Sequence, residues 1–237
     1  VGLLLPRPAE DLGLVPGIPV ATGIIDAHAG GVGLLGLALA AGRPREAGGA
    51  FNSVLALIGG TSSCHMAVSK KPRFVKGVWG PYFGAMVPGF WLNEGGQSAT
   101  GALVDHVLSD HGAWPECSAL ARRSGSSVYE IVNQRLEGLT ARRLAPGAHQ
   151  AQLTGRIHVL PDHHGNRSPR ADASARGMVS GLSLDGSLDD LALRYQASIQ
   201  ALAYGTRHII QELNRKGYAI RTVLATGGGT RNPLWLQ

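Results

Sequence analysis

The chain has 237 residues, enough for one large domain or one and a half, and 44% are hydrophobic, which supplies a sizeable core and excludes wholesale disorder. Lys and Arg number 22 against 16 Asp and Glu, a net charge of +6, but the arginines scatter and aromatic residues reach only 5%, which argues against a nucleic-acid-binding surface. The 34 glycines follow no G-X-Y period, so a collagen is excluded.

Residues 1–22 are punctuated by Pro6, Pro8, Pro16 and Pro19, with a short helix expected over Ala9–Leu14 and closed by Gly17. Val20–Ile25 reads as a buried strand ending at Asp26, and Ala29–Ala41 as a Gly/Ala-rich helix that can pack closely on a neighbour. The apolar run ends at Gly42, short of the ~20 residues a membrane-spanning helix needs. The opening residues do not read as a signal peptide, and none is expected. Residues 42–50 read as a linker. Ser53–Ile58 is an apolar run suited to a central strand, Gly59–Ser63 a tight turn, and Cys64–Val68 the returning strand of a hairpin. Cys64 and Cys117 make no disulfide framework, which fits a reducing compartment and a cytoplasmic location. Residues 71–92 hold Pro, Gly and aromatic side chains and read as an irregular, pocket-lining loop.

Ser98–Leu108 and Ser127–Leu139 are expected helices, and Val159–Leu160 a strand end before the polar loop Pro161–Pro169. Leu188, Leu191, Tyr195, Ile199, Leu202, Thr206, Ile209 and Leu213 recur at steps of three or four. That spacing predicts one long helix over Asp189–Lys216, with Ser187 as N-cap and Gly217 as its stop. Arg221–Ala225 then reads as a strand, Gly227–Gly229 as a turn and Pro233 onward as a new helix. There is no internal repeat.

Three features carry chemistry. In Gly23–Gly31, Asp26 sits at the end of an apolar strand and the mouth of a Gly-rich helix, where open α/β sheets bind ligands; it serves equally well as a cap of that helix. Asp26-x-His28 is a metal-pair spacing, but no further ligands lie nearby. Gly59-Gly60-Thr61-Ser62-Ser63 could cradle a phosphate with successive N–H groups and a hydroxyl, or be an ordinary hairpin turn. It lacks the Gly-Lys-Ser/Thr of a P-loop. Thr226-Gly227-Gly228-Gly229-Thr230-Arg231-Asn232-Pro233 joins strand to helix, which accepts an adenosine or phosphate or is simply a structural turn. Cys64 and His65, adjacent on a strand, point to opposite faces and make a poor nucleophile pair. Asp162-His163-His164 has poor metal-ligand spacing and reads as a polar loop.

Together these features resemble the sugar kinases of the FGGY carbohydrate kinase family, in its ribulokinase-like branch and D-ribulokinase type. Gly77-Val78-Trp79-Gly80-Pro81-Tyr82, Val87 through Ser98 with Asn93-Glu94-Gly95-Gly96-Gln97, Gly165-Asn166-Arg167-Ser168-Pro169 and Ala203 through Ile210 extend the resemblance over nearly the whole chain. It implies an α/β, actin-like, ribonuclease-H-related ATPase fold of two domains. Residues 1–48 would be the tail of the first domain and 49–237 the second domain, incomplete at its end. The implied reaction is Mg-ATP-dependent phosphorylation of a sugar hydroxyl, with a ketopentose, D-ribulose, as acceptor. By resemblance Asp26 is the catalytic base facing the sugar. Gly60, Thr61 and Ser62 form the hairpin at the ATP phosphates, and Gly228, Gly229 and Asn232 lie on the adenosine side. Gly96, with Gln97 and Ser98, lies near a second nucleotide-contacting stretch. No protein-built metal site is expected, and Mg²⁺ accompanies ATP. The expected partners are a sugar and ATP, not nucleic acid or membrane, and a homodimer is compatible.

The sequence departs from the family in one large respect. The family's first hairpin, of Asp-x-Gly-Thr type, is absent, as are most of its sugar contacts. The chain opens on Val1 and reads as a fragment, so one expectation is a nucleotide half-site or interaction module without turnover of its own.

Overall fold

The computed structural model describes residues 2–40 and 49–237. At the centre is a five-stranded mixed sheet of β3 (Val54–Gly59), β4 (Ser63–Ser69), β5 (Trp79–Phe83), β6 (Trp91–Gln97) and β9 (Thr222–Thr226), in the order β5-β6-β4-β3-β9. Only β3 and β9 run parallel; the other neighbours are antiparallel. The expected hairpin forms with Ile58 opposite Cys64 and Gly59 opposite Ser63.

Both faces of this sheet are covered, which is why β3 is apolar at every position. Helix α2 (Asp26–Ala40) packs Leu34 and Leu35 against Val54, Ala56, Met66, Val68 and Leu92. On the other face the end of α7 (Leu188–Arg215) packs Ile209 and Leu213 against Leu55 and Ala67. The first half of α7 belongs to a second, helical core. There Leu191, Tyr195 and Ile199 meet Leu103 and Leu108 of α4 (Gly101–Ser109), Cys117 of α5 (Trp114–Ser124) and Val132, Leu136 and Leu139 of α6 (Val128–Arg143). Helix α7 therefore joins the helical layer to the sheet. Its N-cap is Ser187, whose Oγ accepts from the Asp190 N–H, and α6 starts with a capping box of Ser127 and Glu130.

Several sequence expectations change. The strand expected over Val20–Ile25 shrinks to β2 (Pro19–Val20), which pairs only with β1 (Gly2–Leu3). Ile24 and Ile25 are 51% and 61% exposed, because no further strand ladders with this segment among the described residues. The first helix is α1 (Pro6–Leu12), and Gly13, in the left-handed region, closes it in place of Gly17. Residues 71–92 are not a loop throughout: they contain β5 and the start of β6. Pro81 sits at a register shift in β5, an edge strand, where its missing N–H costs no ladder bond. Helix α5 (Trp114–Ser124) was not expected; Pro115 sits in its first turn, a position that tolerates proline. The final segment is two short 3₁₀ turns, Gly228–Arg231 and Pro233–Leu236. The linker expected over 42–50 lies almost wholly outside the described residues.

Two outcomes follow from these cores. Leu191, fully buried between α7 and the helical layer, should cost about 2–5 kcal/mol when replaced by Ala, read as a lower denaturant midpoint. His65 is fully buried on the α7 side of β4, and its Nε2 meets Thr206 Oγ1 at 2.9 Å. Burial, helped by the Arg167 charge, pushes its pKa down to about 3. An unfolded His binds a proton near pH 6.5, so the folded state loses ground as pH falls below about 6.5, by up to about 1.4 kcal/mol per pH unit. Urea melts from pH 7 to about 4 should show this slope, and His65→Gln, which takes no proton, should flatten it.

Candidate functional site

Three chain segments meet at the end of β3. The hairpin tip Gly60–Ser62 is closed by a Gly60 N–H bond to Ser62 O (2.9 Å). The start of α4 docks on this tip. Thr100 N–H donates to Thr61 O (2.9 Å), Gly101 N–H to Gly60 O (3.0 Å), and Thr100 Oγ1 also donates to Gly60 O (2.9 Å). A Cβ on Gly101 would stand 2.7 Å from Gly60 O, so only glycine permits the contact. From the other side comes the turn after β9, where Gly227 has φ +104° and Thr230 Oγ1 donates to the Gly227 carbonyl at 2.8 Å.

Between these segments lies a cleft of about 660 Å³. Its walls include Gly60, Thr61, Gly101, Gly228, Gly229 and Asn232, residues up to 172 positions apart in sequence. Asn232 is fixed by a closed ring of hydrogen bonds. Its Nδ2 donates to Tyr195 Oη, Tyr195 Oη donates to Asn133 Oδ1 (3.2 Å), and Asn133 Nδ2 donates to Asn232 Oδ1 (3.0 Å). The same Oδ1 accepts from Leu234 N–H (3.2 Å). Burial pushes the Tyr195 phenol up to about 12, so it stays protonated and keeps donating. Beside this ring, one turn before Asn133 on α6, the Tyr129 hydroxyl donates to Asp105, and burial together with this bond raises its pKa.

The cleft thus gathers five of the sequence-selected residues: Gly60, Thr61, Gly228, Gly229 and Asn232. Ser62 lies in the same turn but does not line the cleft. Gly96 lies elsewhere, on β6 opposite Cys64, where its missing side chain leaves room for Arg167. With Gln97 and Ser98 it borders a separate cavity. The sequence reading passed over Gly101, Asp105, Tyr129 and Asn133. The signal for the first two was the helix start directly after Gly96-Gln97-Ser98, a few residues further on.

Asp26 begins α2, exposed to solvent, and its Oδ1 accepts from the Ala27 N–H at 2.7 Å. The start of α2 is held at the hairpin end of the sheet: Ala27 packs among the residues around Ile58, and Gly30 faces the Ile58 side chain. Two residues on, His28 is buried, its Nε2 2.9 Å from Glu94 Oε2. The other oxygen of Glu94 accepts from Arg167 Nη2 at 2.5 Å, and the Arg167 guanidinium lies 4.3 Å from the Trp79 ring centre. This His28–Glu94–Arg167 cluster ties the helix that carries Asp26 to β6 and to the 161–169 loop. Sequence reasoning gave it no role, because Glu94 was not recognised as lying inside a buried strand. Cys64 stands beside it, and burial, reinforced by Glu94, raises its thiol pKa against the Arg167 charge, so a thiolate is disfavoured. The described residues contain no group of three or more His, Cys, Asp or Glu able to hold a metal ion.

The chain was compared with known proteins. Residues 55–237 match the FGGY family of carbohydrate kinases, C-terminal domain. A human FGGY carbohydrate kinase domain-containing protein is 50% identical over 99% of this chain and 42% of its own length. A D-ribulokinase of Saccharomyces cerevisiae is 39% identical over 98% of this chain and 33% of its own length. The xylulose kinase of Rhodospirillum rubrum superposes with a TM-score of 0.65 at 25% identity, covering 99% of this chain and 40% of that one, which matches the expected α/β fold of the second domain of an actin-like sugar kinase. The chain therefore spans less than half the length of these relatives, and it belongs to the FGGY family of carbohydrate kinases.

Proposed function

We infer that this chain is the nucleotide-binding and base-bearing part of an ATP-dependent sugar kinase. Its acceptor is a ketopentose, with D-ribulose the choice supported by the D-ribulokinase among its relatives. Residues 1–48 belong to the tail of a first domain and 49–237 to the second. The free thiols of Cys64 and Cys117 suit a cytoplasmic setting. The observation that carries the reading is the convergence of Gly60, Thr61, Gly228, Gly229 and Asn232 on one cleft of nucleotide size.

Phosphoryl transfer asks for positioning and charge stabilisation more than for covalent chemistry. Thr61 offers a hydroxyl at a glycine tip that a phosphate can approach closely. Open space in front of Gly228 admits the nucleoside, and the Asn232 amide, held in its ring, orients it. Asp105 and Glu130 are the carboxylates lining the cleft, too few for a protein-built metal cage. Mg²⁺ therefore arrives on the phosphates, its usual mode in phosphoryl transfer, and supplies charge neutralisation there. Asp26 accepts the proton of the attacking sugar hydroxyl. A second reading, a nucleotide half-site without turnover in these 237 residues, is favoured by the exposed apolar stretch that leads to Asp26, including Leu3, Leu5, Leu12, Ile24 and Ile25.

Calorimetric titration of this chain with Mg-ADP tests the cleft. Binding is expected, and Tyr195→Phe should weaken it about tenfold, since two half-buried amides lose their partner, at a cost of about 1–2 kcal/mol. An unchanged affinity would remove the ring from the site. ADP release from the longer protein, assayed with D-ribulose, L-ribulose and D-xylulose, tests the reaction. Asp26→Asn should lower kcat by ~10²–10⁴ while leaving nucleotide affinity alone. Turnover that survives this substitution would assign the base elsewhere.

A further inference from the structure

The cleft occupies one end of the sheet, and the opposite end is cationic. There Ser69 closes β4 beside Trp91, which in turn faces Phe83. Lys70 and Lys71 leave the sheet at this point. Arg73 then reaches the end of α7, where its Nη1 donates to the Lys216 carbonyl at 2.9 Å and its guanidinium lies 5.1 Å from the Tyr218 ring centre. The Arg221 N–H donates to Ser53 O at 3.0 Å, which brings a third segment to the same pole. Lys70, Lys71, Arg215, Lys216 and Arg221 are all exposed. Three of the chain's four lysines are among them.

No carboxylate offsets these charges locally in sequence. There is no Asp or Glu from Ser69 to Asn93, and none after Glu212. Glu212 itself is paired with Arg215 and His208. In the middle of the lysine-bearing loop Phe74 is 77% exposed, and Phe83 at the end of the edge strand is 63% exposed.

We propose that this pole is a docking surface for membranes carrying anionic lipid headgroups. Lysines and arginines are drawn to the negative surface potential of such a leaflet, and an aromatic side chain among them enters the interface. The layout favours lipid over nucleic acid. Lys70, Lys71, Arg73 and Lys76 flank exposed Phe74 within one short loop, whereas a strand-binding surface aligns its cations along a groove with stacking platforms. Seven residues of β4 separate the pole from the hairpin tip, about 20 Å, so the cleft stays open while the pole is docked. This departs from the expectation of no membrane partner, yet a surface contact needs no spanning segment, and no helix among the described residues is long and apolar enough to cross a membrane. The inference is independent of the proposed kinase reading.

Co-sedimentation of the chain with phosphatidylcholine–phosphatidylserine vesicles, and with pure phosphatidylcholine vesicles, tests it. Sedimentation with the anionic vesicles alone, falling as salt rises, is the expected result. Lys71→Glu with Lys216→Glu should reduce binding at least ~tenfold, and Phe74→Ser should weaken it while its salt dependence persists. The side chains of Lys71, Lys216 and Phe74 are exposed, so unchanged thermal transitions will show that the variants fold; the milder Lys71→Gln with Lys216→Gln gives a graded loss. Equal sedimentation with neutral vesicles, or binding untouched by these substitutions, would place the contact on the apolar residues near the N-terminus and overturn the proposal. So would retention by RNA or an acidic polypeptide without any vesicle binding.

Discussion

At the end of β3 the carbonyls of Gly59 and Gly60 are approached from two sides. A Cβ on Gly227 would stand 2.1 Å from Gly59 O, and one on Gly101 would stand 2.7 Å from Gly60 O. Both distances are below any real contact, so the turn after β9 and the start of α4 seat against β3 only because neither residue has a side chain. From these two contacts the rest follows. Helix α4 is pinned by backbone bonds to the hairpin tip, which sets where Asp105 projects. The β9 turn is pinned against β3, which sets Gly228, Gly229 and Asn232 opposite. The cleft is the space left between two glycine-mediated seams.

A second constraint operates on the α2 face. Glu94 is 8% exposed and would be costly to bury alone, since an isolated charge loses far more hydration than packing returns. It survives there because one oxygen meets His28 and the other meets Arg167. Removing one partner of such a cluster typically costs about 3–5 kcal/mol, because the remaining charge stays buried. The cluster is weak support for stability as such, yet it fixes relative positions well. The first turn of α2, the middle of β6 and the 161–169 loop cannot shift separately without breaking it. Asp26, one half-turn before His28, inherits that placement although its own side chain is exposed and bonded only to the Ala27 N–H.

How much of this was legible in the sequence depended on whether the signal was periodic or three-dimensional. Helix α7 was read to within a residue at each end, because its apolar step of three or four persists over 28 residues and Ser187 caps it. The β3–β4 hairpin was read because an apolar run and a glycine turn stand side by side. The glycine turns at 60 and 228 were each read as a ligand site or an ordinary turn, the ordinary turn favoured at 60 and the two even at 228, and only the fold sets them against each other. The edge strand β5 was missed, since Gly80 and Pro81 interrupt its alternation and a register shift absorbs them. The segment ending at Ile25 was read as buried because its residues are apolar. Apolarity supplies the tendency to be covered, while coverage needs a neighbour, and the described residues provide none. The Asn133–Tyr195–Asn232 ring was invisible for a different reason: its members are 62 and 37 residues apart and none is unusual by type.

Charge is distributed along the sheet in a way that separates two kinds of anion recognition. Lining the cleft are one guanidinium, that of Arg231, and two carboxylates, Asp105 and Glu130. A phosphate chain gains little from such a lining by net charge. What the cleft can offer is direction: N–H groups and hydroxyls on backbone that cannot move, and an amide locked by three partners. Fixed dipoles cost no reorganisation when a charged group arrives, and they discriminate by geometry. At the other pole the cations sit on long, exposed side chains with few partners, an arrangement that attracts any extended negative surface and selects weakly among shapes. The same chain thus keeps its diffuse positive charge about 20 Å from the cleft proposed to hold phosphate in one orientation. Were the lysines at the cleft instead, anions of every shape would compete there with the proposed nucleotide, and the two glycine seams would define a geometry that the electrostatics no longer enforced.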